Sequence, residues 1–74
     1  MRSARNIVEA TDEASLRAAV LDIVTFRRTG MLPESSALRD IAHRIANEAE
    51  VDDYALRVAE DNVLLCCALK WASA

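Results

Sequence analysis

The segment Leu16-Arg17-Ala18-Ala19-Val20-Leu21-Asp22-Ile23-Val24-Thr25-Phe26-Arg27-Arg28-Thr29-Gly30 decides the fold class. Leu16, Ala19, Val20, Ile23 and Val24 recur at three- and four-residue spacing, which places them along one side of an α-helix. Ala14, Ala18 and Leu21 widen that stripe. Upstream, Thr11 stands where a helix cap belongs, and Asp12 and Glu13 complement the positive end of the helix dipole. Glu13 precedes Arg17 by four residues, the favourable order for a pair on one helix face. Downstream, Arg27 and Arg28 complement the negative end of the dipole. Gly30 then supplies the left-handed residue of a helix stop, and Pro33 blocks continuation. With Gly30 in that role, Phe26 and Met31 hold the two positions that touch in a Schellman motif.

Beyond Pro33 a second helix starts between Pro33 and Ser36, since proline in a first turn and serine at a cap both suit a helix start. Leu38, Ile41, Ala42, Ile45 and Ala49 form a narrow apolar seam close to a heptad pattern. Arg39, Asp40, His43, Arg44, Asn47 and Glu48 cover its other side. A break follows near Glu50 to Asp52. Asp52 is a good cap, with Val51 and Leu56 in the positions of a hydrophobic staple. The third helix is amphipathic from Tyr54 to Asn62, and Asp53, Arg57 and Asp61 follow one another at four-residue steps. From Val63 it reads Val-Leu-Leu-Cys-Cys-Ala-Leu-Lys-Trp-Ala, apolar on nearly every side except at Lys70. A helix apolar all round is buried all round. Two partner helices in a short bundle cover only part of it, and large exposed apolar patches mark interaction sites. Residues 1–10 stay open between a frayed turn and a docking arm, with Ile7-Val8 as their apolar pair.

The composition agrees. The chain has 74 residues, a single glycine, a single proline and few aromatics (Phe26, Tyr54 and Trp71). Strands want β-branched and aromatic residues with frequent turn signals, whereas the abundant alanine and leucine are strong helix formers. One small core rarely supplies more than about 3–5 kcal/mol, so domains of this size lean on disulfides, metals, close helix packing or self-association. The formal charge is −3, from 12 acidic and 9 basic residues. That balance opposes the basic footprint of a nucleic-acid binder. The cysteines are the adjacent pair Cys66 and Cys67, whose side chains diverge by roughly 100° on a helix and cannot bridge each other without strain. Without a spaced cysteine framework, a signal-peptide core or an apolar run long enough for a bilayer, the expected location is cytoplasmic.

Candidate chemistry is sparse. Asp40 and His43 are three apart on one helix, an arrangement found in helical di-metal sites, which use glutamate and a second copy of the motif. His43 is the sole histidine, and a solvated polar face explains the pair. Cys66 and Cys67 lie among leucines, where free cysteine acts as a small hydrophobe and not as an activated thiol. One glycine cannot build a phosphate cradle. Leu38 to Ala42 resembles the first helix of a helix-turn-helix. The tight turn that should follow is missing, because the pattern runs on through Ala49, and the next helix opens on Asp52 and Asp53, which repel a phosphate backbone. Arg27 and Arg28, with Arg2 and Arg5, are the one basic feature. Glu48, Glu50, Asp53, Glu60 and Asp61 are candidates for an acidic contact face toward a basic partner.

These readings predict one all-α domain over residues 1–74, a short bundle of three helices at about 12–29, 35–49 and 53–72. Its expected core is Leu16, Val20, Ile23, Val24, Leu38, Ile41, Ile45, Leu56, Val63 and Cys67. Leu64, Leu65, Leu69 and Trp71 are the expected self-association or partner surface, and a homodimer is expected. No catalytic, cofactor or metal set is legible. The expected function is a non-enzymatic protein-binding module, acting as regulator, adaptor or inhibitor of a larger protein. A dimeric helical DNA-binding regulator is the alternative. The small size and lack of catalytic equipment suit a short accessory protein of a bacterial chromosome, plasmid or phage, and the preference for alanine, and for arginine over lysine, is a compositional association with a GC-rich bacterial or phage genome.

Overall fold

Four helices follow one another in the computed structural model, which describes residues 3–47 and 51–72: α1 (Ala4–Glu9), α2 (Glu13–Thr29), α3 (Ala37–Ile45) and α4 (Asp53–Ala72). No strand occurs among the described residues. The first helix lies in the segment that the sequence leaves open. The Ser3 hydroxyl accepts the Asn6 N–H at 3.2 Å, and Arg5 pairs with Glu9 at 2.9 Å. Ile7 and Val8 are buried, and α1 packs on α3 and α4. It is an arm docked on its own bundle.

Thr11 does not cap α2, contrary to expectation. Its hydroxyl donates back to the Ile7 carbonyl at 2.9 Å and accepts from Arg44 at 3.4 Å, which closes the end of α1 and ties it to α3. Asp12 is the cap, accepting the Ser15 N–H at 3.0 Å and the Ser15 hydroxyl at 2.8 Å. At the other end Gly30 has φ 73° and donates its N–H to the Phe26 carbonyl at 2.8 Å. Met31 turns outward, 74% exposed, and gives its N–H to the Thr29 hydroxyl at 3.2 Å. The stop is therefore the single-bond left-handed cap and not the Schellman motif, because the Thr29 side chain captures the amide that the longer motif needs.

The loop to α3 is held by polar contacts. The Arg39 guanidinium donates to the Pro33 and Leu32 carbonyls at 3.2 and 3.1 Å. Ser36 caps α3 by accepting the Arg39 N–H at 2.9 Å, and Asp22 of α2 accepts the Leu38 N–H at 3.2 Å. These acceptors satisfy donors that a helix start otherwise leaves orphaned. The predicted helix over 35–49 ends early, at Ile45. Asn47 takes φ 52°, and asparagine is the residue after glycine best suited to that left-handed position. Ala49 of the predicted seam lies outside the described residues. Asp52 caps α4 as expected, accepting the Ala55 N–H at 2.8 Å, and Val51 and Leu56 both pack against the core.

That core joins Val8 of α1, Leu16, Ala19 and Ile23 of α2, Leu38, Ile41 and Ala42 of α3, and Ala55, Ala59, Val63, Cys66 and Cys67 of α4. Val20, Ile45 and Leu56 pack on it from partly buried positions. Val24 does not belong to it: one step round the helix from Ile23, it is 48% exposed. Ala19, Ala42 and Ala59 are fully buried, and side chains this small let helix axes approach closely. The molecule measures 34 by 33 by 17 Å. With helices about 10–12 Å across, its thinnest dimension holds no more than two layers, so every helix keeps a face toward solvent. For α4 that geometry has chemical consequences.

Candidate interaction surface on the last helix

Successive residues of a helix turn by about 100°, so the side chains of α4 sort into three strips. Ala55, Ala59, Val63, Cys66 and Cys67 face the core. Tyr54, Val58, Leu65 and Leu69 fall within roughly 60° of one another on the far side. Of these, Tyr54 is 76%, Leu65 48% and Leu69 51% exposed, and Val58 is partly covered. Between the two strips, Glu60, Leu64 and Trp71 face the edge where α4 runs alongside α2.

The four residues expected to form one partner surface are therefore divided. Leu65 and Leu69 stand on the outer face. Leu64 packs against the core, and Trp71, 40% exposed, lies under the Arg17 guanidinium, 5.2 Å from its ring centroid. Arg17 also holds Glu13 at 3.0 Å. The Arg17 hydrogen bond and charge draw the Glu13 carboxyl below its ordinary pKa, with smaller contributions from Trp71 and Lys70. A cation over an aromatic face, with a carboxylate behind it, pins the end of α4 to the start of α2. Beside it on α2 stand Leu21, 67% exposed, and Val24. The ridge along α2 and α4 is a second apolar surface. The sequence missed Tyr54, Val58 and Leu21 as surface residues because their types do not distinguish a core stripe from a displayed one.

The expected acidic face is not continuous. Glu60 turns toward α2 and pairs with Arg27. Asp53 and Glu60 line a groove of about 300 Å³ with Phe26, Leu56 and Arg57, while Asp61 points away from it at the margin of the outer apolar strip. Glu48 and Glu50 lie outside the described residues. The basic cluster is also dispersed into ion pairs, Arg27 with Glu60 and Arg5 with Glu9, and Arg2 is outside the described residues.

Cys66 and Cys67 are both buried and free. Burial pushes the Cys67 thiol above its ordinary pKa, and the neighbouring Cys66 adds to the effect; both work against a reactive thiolate. Asp40 and His43 are exposed on α3. Among the described residues no three histidine, cysteine, aspartate or glutamate side chains converge as metal ligands. No described helix is long and apolar enough to cross a membrane. The early end of α3 removes one objection to a helix-turn-helix, since the helix does not run on to Ala49. More residues nevertheless separate the end of α3 at Ile45 from the start of α4 at Asp53 than the ~3–4 of that motif's turn. The following helix still opens on Asp52 and Asp53. Scans of family models, of curated proteins and of solved structures each return no match to the chain.

Proposed function

We propose that this chain is a non-enzymatic protein-binding module that regulates, adapts or inhibits a larger protein. The observation that carries the reading is the display of large apolar side chains on two sides of α4: Tyr54, Leu65 and Leu69 outward, Trp71 with Leu21 and Val24 along the α2 edge. Exposed apolar side chains scattered singly are ordinary; gathered into strips they mark contact surfaces. Aromatic anchors such as Tyr54 and Trp71 are the side chains that dominate binding energy at protein interfaces. The surroundings suit protein better than nucleic acid. Arg17 and Arg27, on the α2 edge, are engaged with Glu13 and Glu60, and the net charge is −3.

Affinity capture from a lysate of the source cell, or of its host for a phage protein, tests this when run with and without nuclease. A stoichiometric partner that survives nuclease and is lost on Trp71→Ala or Leu65→Glu is the expected result. Retention of nucleic acid alone, removed by nuclease, overturns the proposal in favour of a DNA-binding regulator.

A further inference from the structure

We infer that the outer face of α4 is occupied by a second copy of this chain, laid antiparallel across it, with Arg57 of each copy paired to Asp61 of the other. The inference rests on reading the α4 strips as binding surfaces, and it names the occupant of one of them. It leaves the ridge of Leu21, Val24 and Trp71 free for a different partner.

The outer strip and its margin are self-complementary. Arg57 and Asp61 are exposed, and neither makes an ion pair within the chain among the described residues. Both stand on the same margin of the strip formed by Tyr54, Val58, Leu65 and Leu69. In an antiparallel helix pair like margins face each other across the seam, so opposite charges on one margin meet reciprocally about a two-fold axis. In a parallel pair the same margins lie on opposite sides of the seam, and neither charge reaches its counterpart. Setting Arg57 against Asp61 of the partner fixes the register. It brings Tyr54 over Leu65 of the other copy, twice by symmetry, and places Val58 near the axis. Leu69 then lies past the first residue of the partner's α4, outside the helix overlap.

Asn62, the polar residue on the strip's other margin, does not break the seam. One of its amide N–H groups is turned back to the Val58 carbonyl at 2.8 Å. Tyr54, the most exposed side chain of the strip, is thus covered by Leu65 of the other copy, and the flanking charges are neutralised in the same register. A larger protein chosen at random would need to supply that pattern of apolar and charged groups; a second copy carries it already.

The overlap spans about two-thirds of α4, so the contact belongs with the small interfaces of weak, transient complexes, and a dissociation constant on the order of micromolar is the value to test. Sedimentation equilibrium of the full chain from about 1 to 200 µM brackets that range. The wild type should dimerise. Arg57→Glu and Asp61→Arg should each raise the dissociation constant roughly 10-fold, because each swaps two attractive pairs for two repulsive ones. The combined swap should return it to within about 3-fold of wild type, with far-ultraviolet circular dichroism unchanged throughout. If a reversal costs helicity, Arg57→Gln and Asp61→Asn are the substitutes, each expected to weaken the dimer about 3-fold. A dimer indifferent to every one of these changes overturns the inference and leaves the binding-module reading intact. So does a wild type that is monomeric across the range but still captures a heterologous protein through α4. Monomeric behaviour together with failed capture overturns both.

Discussion

Val8 provides a quantitative test of the packing, since the segment that carries it has no clear structural signature in the sequence. Its side chain is fully buried in the core shared by α1, α3 and α4. Val8→Ala removes two methyl groups from that core. At about 0.8 kcal/mol per buried carbon the transfer loss is about 1.6 kcal/mol. The cavity left behind raises the total to about 2–2.5 kcal/mol if the short helix cannot settle inward to fill it. For a domain of this size that is a large part of its stability, about 3–5 kcal/mol, and corresponds to a fall in Tm of roughly 8–20 °C. The assay is urea unfolding followed at 222 nm, with Met31→Ala as control. Met31 is 74% exposed, so its truncation should stay within about 0.5 kcal/mol of wild type. Equal midpoints for the two variants would refute the docking of α1. An unchanged midpoint with a lower m-value would instead show that α1 frays before the rest unfolds.

Other consequences concern caps, acids and thiols. Asp52→Ala should cost about 1 kcal/mol by leaving the Ala55 amide without its acceptor, measured by the same unfolding experiment. An unchanged midpoint there would mean that the cap does not set the start of α4. Asp12 is held below its ordinary pKa chiefly by the Ser15 hydroxyl, and Glu13 chiefly by Arg17. Their contribution to stability is therefore present above the unfolded carboxylate pKa values and lost as pH falls through the depressed folded ones. The urea midpoint should drop across that acid range, and Asp12→Asn with Glu13→Gln should flatten the drop; a slope unchanged by these substitutions contradicts the assignment. For Cys67 the sign is opposite, because its folded pKa is raised by burial. Its contribution is complete below the unfolded thiol pKa and disappears as pH rises through the folded value. Alkylation of the native protein at pH 8 should accordingly be far slower than in denaturant, and equal rates would show that the thiol is accessible.

The parts of the fold that were legible in the sequence are those written in local chemistry. Gly30, Ser36 and Asp52 each perform a helix-ending or helix-starting task that their residue type suits best. The amphipathic pattern of Leu38, Ile41 and Ala42 selects the buried face of α3. Where two residues competed for one role, the sequence was ambiguous. Thr11 and Asp12 are both good caps, and the choice turned on the Ile7 carbonyl, which exists as a partner only once α1 has formed. A helix as short as α1 contains too few turns for its apolar spacing to declare itself. Asn47 ends α3 through a left-handed conformation that asparagine adopts less readily than glycine, so its signal was weak. Val24 was misplaced because periodicity gives the centre of an apolar stripe better than its width, and the width depends on how many helices cover it. The same limit explains α4. Its sequence shows more apolar surface than a small bundle covers, but the division between the Tyr54–Leu69 strip and the Trp71 edge depends on where α2 lies and on the Arg17 guanidinium that crosses to Trp71.

Leu65 distinguishes a binding surface on the outer side of α4 from a part of the subunit's own core. Leu65 is 48% exposed and lies on the side of α4 opposite Val63 and Cys66. Leu65→Glu, compared with wild type by sedimentation equilibrium and circular dichroism on the same samples, should abolish association while the helical signal and its thermal midpoint persist. A variant that loses its helicity would place Leu65 in the core of the folded subunit and contradict the account. So would a variant that associates as well as the wild type.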